Sequence, residues 1–143
     1  MIAEAAAELE AVPRRDRFAP AVMAARVEVH TAAGQWDVVA TFARRVLKMD
    51  AENVAAWISL GCAVRRTEGV DAARQLLLTL VPRFGSKHAI IHYNLACYTC
   101  LVGEIETAKD CLAVACKMDA GFKAAALSDP DLQALRDQLG SIS

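Results

Sequence analysis

Cys97 and Cys100 stand three residues apart in the stretch HYNLACYTCLVGE, residues 92–104, and His92 lies five residues before the first thiol. Thiols at this spacing can hold zinc or cycle as a dithiol, with a histidine nearby as a nitrogen ligand. Cys111 and Cys116 lie further along, so four sulfurs are available, and Cys62 is the fifth. His88 and His92, four residues apart, form a second metal-type pair. On an ideal helix three residues turn the chain through about 300°, which sets Cys97 beside Cys100 on one face. Cys111 and Cys116 are five apart and diverge by about 140°, so the four sulfurs do not converge easily on one ion. Structural zinc takes such pairs from turns, and a thioredoxin-type dithiol needs a strand followed by a helix. Neither context surrounds these thiols, and the expectation is that they serve as small apolar residues where helices crowd.

The rest of the sequence offers no alternative chemistry. It has no nucleophile–histidine–acid pattern, no phosphate-cradling glycine loop and no dinucleotide fingerprint. The expected protein is therefore non-enzymatic, with no metal and no other cofactor. The alternative is a metal- or thiol-dependent protein using Cys97 and Cys100. Met23, Met49 and Met118 are expected to fill the core.

The elements that must position these residues emerge from composition and period. The chain has 143 residues, 55% of them apolar, and 29 are alanine. Alanine is the strongest helix former and lets helices approach closely, which predicts an all-α protein. No uncharged stretch reaches the roughly 18 apolar residues of a membrane span. The N-terminus, with Glu4, Glu8 and Glu10, lacks the basic start of a secretory leader. A net charge of −1 argues against a nucleic-acid surface. Five cysteines, an odd number on helical segments, do not make a disulfide framework and suit a reducing, cytoplasmic home.

A period of about 34 residues runs through the chain. KMDA occurs at residues 48–51 and again at 117–120. Along the same period Val39, Ala73 and Ala108 recur, as do Ala43, Leu77 and Leu112, then Val46, Leu80 and Ala115, and likewise Met23, Trp57 and His92. Each copy reads as two helices. In the middle one, Trp57, Leu60, Gly61 and Val64 share one helical face, and Ala73, Leu76, Leu77 and Leu80 share the next. Gly34, Gly69 and Gly103 break the pairs.

With Trp57-x2-Leu60-Gly61 and then Ala73 and Leu77, the middle copy resembles the tetratricopeptide (TPR) signature, and the period agrees. The third copy is similar, with Leu95 and Ala96 in the Leu-Gly places and Ala108 in the alanine place. The first copy departs from the pattern, with Arg26, Val27 and Val39 in those places. The resemblance implies an α–α superhelix of antiparallel helix pairs in a single domain. Repeats are expected at residues 20–53, 54–87 and 88–122, after an N-terminal helix or partial repeat over 1–19 and before a cap over 123–143. The cap should begin at Asp129 as N-cap, with Pro130 and Asp131 in the first turn, an apolar stripe of Leu132, Leu135 and Leu139, and Gly140 at its end. Upstream, Ile2, Ala5, Leu9 and Val12 recur at helical spacing.

The same resemblance implies that the first helix of each pair lines a concave groove where a peptide segment of a partner protein docks. Expected groove residues are Glu28 in the first copy; Ala55, Ile58, Cys62, Arg65 and Arg66 in the second; and Tyr93, Asn94, Cys97 and Cys100 in the third. Asn94 matches one asparagine of the carboxylate clamp by which some TPR proteins grip chaperone C-termini. Ile58 and Cys62 replace its other polar places, so that clamp is not expected. The expected occupant is a segment with apolar anchors and an acidic group for Arg65. Membrane and nucleic acid are not expected partners, and self-association into a homo-oligomer is a further alternative.

Overall fold

A computed structural model describes residues 20–142, together with residues 3 and 5–7. Among the described residues every regular element is helical, so the protein is all-α. The chain forms two compact units, residues 1–68 and 69–143. The first holds α1 (Pro20–Ala32), α2 (Trp36–Met49) and α3 (Val54–Thr67). The second holds α4 (Val70–Phe84), α5 (Ala89–Leu101), α6 (Ile105–Met118), α7 (Gly121–Ser128), a 3-10 turn (Pro130–Leu132) and α8 (Gln133–Ile142). The boundary falls inside the second of the expected repeats. Of the N-terminal stripe only Ala5 is described, and it is helical with its neighbours Ala3, Ala6 and Ala7; Ile2, Leu9 and Val12 lie outside the described residues.

Two local devices recur in the turns. After α1 and after α5 the chain reverses through a glycine of positive φ, Gly34 at 71° and Gly103 at 91°. In both turns the next amide reaches back five residues, Gln35 N–H to His30 O and Glu104 N–H to Thr99 O. This is the Schellman closure, which needs the left-handed backbone that glycine adopts without strain. The KMDA copies form the second device. Asp50 and Asp119 are the extended C-cap residues of α2 and α6. Each carboxylate accepts the amide two residues on, Glu52 N–H at 3.1 Å and Gly121 N–H at 2.9 Å. Such Asx turns compete with further helix and stop it there. The repeated tetrapeptide is thus a repeated stop signal.

In the first unit α2 packs between α1 and α3. Its Val39, Ala40, Ala43 and Val46 are buried at helical spacing. Val46 forms a core cluster with Met23 of α1 and Ala56 of α3, flanked by Phe42 and Leu47. On the outer side the Phe42 ring stacks on His30 at 5.7 Å, with the Arg26 and Arg45 guanidinium groups 5.8 and 5.7 Å from its centroid.

The second unit is built around α5, which packs on α4 and, most extensively, on α6. Ala108 and Ala115 of α6 are fully buried and small enough to bring the two backbones close. Arg74 of α4 joins Asp71 at 2.8 Å and also pairs with Glu104 at the start of α6. His92 spends Nε2 on the Gly85 carbonyl at 2.8 Å, donating there, which makes it a brace between the end of α4 and α5.

Two expectations are corrected. Met49 and Met118 are 47% and 38% exposed in the last turns of α2 and α6, and only Met23 is a core filler. Gly140 does not end the last helix, which runs on to Ile142 and begins after the 3-10 turn. Asp129 does cap that turn, accepting the Asp131 amide at 3.0 Å, and Leu132 and Leu135 are buried. The Leu139 side chain lies outside the described residues.

Candidate functional site

The thiols of α5 are not where the groove expectation put them. Cys97 and Cys100 are each 3% exposed and Tyr93 is 6% exposed. Over Tyr93 and Cys97 the cover comes from the unit's own C-terminal end. Phe122, at the start of α7, stacks on the Tyr93 ring at 4.6 Å and 19°. The Tyr93 hydroxyl donates to Asp129 Oδ2 at 2.8 Å, and the Cys97 thiol points at the same oxygen from 3.7 Å. Asp129 Oδ1 is taken by the Asp131 amide. Arg136 then clips the segment down, donating to the carbonyls of Ala126 and Asp129, both at 2.7 Å. Burial raises the Tyr93 pKa well above the ordinary phenol range, with the hydrogen bond to Asp129 and the nearby Cys97 and Asp129 charges adding to it. Tyr93, Cys97 and Cys100 therefore do not line an open wall, and a tail segment lies over the first two.

Among the described residues, Cys97, Asp129 and Asp131 form a group whose ligand atoms lie within 4.8 Å of one another. Cys100, Cys111 and Cys116 are not in it, and no disulfide joins any of the five cysteines. Both Asp129 oxygens accept hydrogen bonds, one as the cap of the 3-10 turn and one as a tie to α5. Burial together with Asp110 raises the Cys111 pKa, which keeps that thiol protonated and a poor nucleophile at neutral pH.

The first unit presents a different surface. Glu28 and Ala55 are exposed, while Ile58, Cys62 and Arg65 are half-buried. Arg66 is exposed and its guanidinium lies 5.5 Å over the Trp36 ring, turned toward the start of α2. A cleft of about 100 Å³ opens where Ala24, Val27 and Glu28 of α1 face Ala55, Ala56 and Ser59 of α3, with Val46 of α2 among its walls and Asn53 at the edge. Asn53 is positioned by its own task, since its side-chain oxygen caps α3 by accepting the Ala56 amide at 3.0 Å. The cleft brings Glu28 and Ala55 together and leaves Ile58, Cys62, Arg65 and Arg66 outside its lining. In the second unit, Asn94 is half-buried beside the sealed stripe. Asn53 and Ser59 were missed by sequence reasoning, although Ser59 lies one helical turn from Ala55 and was legible from that spacing.

The elements define an all-α protein of helical hairpins that carries a small polar-edged cleft on one unit and a self-covered stripe on the other. No protein-family model and no curated protein matches the chain. Among the described residues no helix is long and apolar enough to cross a membrane.

Proposed function

We propose that this protein is a non-enzymatic interaction module of the TPR type, which holds an extended segment of another protein against α1 and α3. The observation that carries this reading is the cleft between those helices. Small side chains at Ala24, Ala55 and Ala56 leave room for a partner backbone, and Glu28, Asn53 and Ser59 supply polar groups at its edge. Glu28 is the charged residue of the lining, so the cleft favours a segment presenting a hydrogen-bond donor or a cation there. The acidic group expected for Arg65 would sit farther along α3, beyond the cleft. The 34-residue period and the Trp57-x2-Leu60-Gly61 signature support the family reading. A cytoplasmic home goes with it, in keeping with five cysteines that form no disulfide.

Peptide selection by display on the immobilised full chain tests the proposal. Peptides enriched by the natural sequence should lose binding to Ala55→Arg, which fills the cleft, while the melting temperature stays unchanged. Peptides that bind both proteins equally well, or a failure to enrich any sequence, would remove the cleft from consideration.

A further inference from the structure

The second unit ends in an apolar cleft that is independent of the groove on α1 and α3. Leu112 and Cys116 of α6, Leu127 of α7, and Leu132, Leu135 and Arg136 of the tail line an open cleft of about 250 Å³. Leu132 and Leu135 form a buried floor, whereas Leu127 stands on the rim with 75% of its surface exposed. A leucine so exposed beside an open apolar cleft forgoes favourable burial, and patches of this kind mark docking sites. The rim also carries Lys123, which is exposed and forms no ion pair among the described residues. The occupant should therefore have aliphatic anchors flanked by carboxylates.

The chain contains one such sequence at its other end. In residues 2–12, Ile2, Ala5, Leu9 and Val12 recur at helical spacing, the charged residues are Glu4, Glu8 and Glu10, and the first basic residue is Arg14. We propose that this segment of a second copy docks in the C-terminal cleft, so that copies join head to tail, with Leu9 entering beside Leu127 and Glu8 meeting Lys123. A contact between two different surfaces is heterologous and need not close after two copies. Such a contact builds a closed ring or an open chain of copies, and in either case its extent rises with concentration.

Analytical ultracentrifugation of the full chain over a concentration series tests this. The natural sequence should gain mass with concentration, and added salt should weaken the assembly. Leu9→Asp and Leu127→Asp should each be monomeric, because each lacks one of the two surfaces. An equimolar mixture of the two should give a dimer that grows no further, since only one competent pair of surfaces remains. A second pair of variants does not depend on altering apolar residues: Lys123→Glu should weaken assembly, and Glu8→Lys in the same chain should restore it. A natural chain that stays monomeric at every concentration, as it would if the segment folded onto its own cleft, overturns the proposal. So does assembly that survives Leu127→Asp, or a charge exchange without rescue.

Discussion

Ala55, Ile58, Cys62 and Arg65 on α3 and Ile90, Tyr93, Cys97 and Cys100 on α5 occupy the same places in the repeat, yet the two stripes meet different fates. Along α3 the exposure runs from open at Ala55 to half-buried at the other three. Along α5 only Ile90 is half-buried, and the other three are closed off. The cause lies downstream, in the second unit's own chain. Beyond α5 and α6 a segment returns with Phe122 against Tyr93 and with Asp129 against Tyr93 and Cys97, and these two residues close that part of the stripe. Helical position sets which way a side chain points; distant sequence decides whether water meets it.

Mutations can break that contrast in graded steps. The largest effect is expected for Tyr93→Ala, which should cost about 3–5 kcal/mol in denaturant unfolding, as truncation of a buried aromatic does. A loss below about 1 kcal/mol would return Tyr93 to an open wall. Asp129→Ala removes a cap and the acceptor of two α5 side chains at once, and should cost about 1–3 kcal/mol. It should also speed alkylation of Cys97, read by mass spectrometry of peptides.

Tyr93→Phe keeps the ring stack and loses the hydroxyl, for about 1 kcal/mol at neutral pH. Because folding raises the phenol pKa, the neutral form is the favoured one. Its contribution is full below the ordinary value near pH 10 and is lost as pH rises through the higher folded value. The stability gap between the natural chain and Tyr93→Phe should hold constant up to about pH 10 and narrow above it; a gap that widens there would contradict the hydrogen bond to Asp129. Smallest of all, Ala55→Ser on the open stripe should change stability by no more than about 0.5 kcal/mol. A larger loss would mean that the α3 stripe is as closed as its counterpart.

Legibility in the sequence tracks the range of the forces involved. Gly34 and Gly103 end helices through their own backbone and one amide reaching back five residues, so the breaks could be read directly. The KMDA copies act through bonds two residues long, and their recurrence exposed the period. Asp129 was recognisable as a cap for the same reason. Its tie to Tyr93 was not, because that bond spans 36 residues and depends on where α7 turns the chain. The same limit explains Met49 and Met118: both lie on helices whose apolar spacing is sound, but at exposed last turns. Of the candidate site, Glu28 and Ala55 could be named from spacing, whereas Asn53 joined them through a turn that spacing does not describe.

Asp129 holds the phenol of Tyr93 and the thiol of Cys97 through its side chain and the guanidinium of Arg136 through its carbonyl. Three anchors sharing one residue cannot let go one at a time without leaving the others strained. The C-terminal end should therefore fray as a single latch, and deuterium should enter the amides of Asp129, Asp131 and Leu132 together with those of neighbouring α8 at one common opening rate.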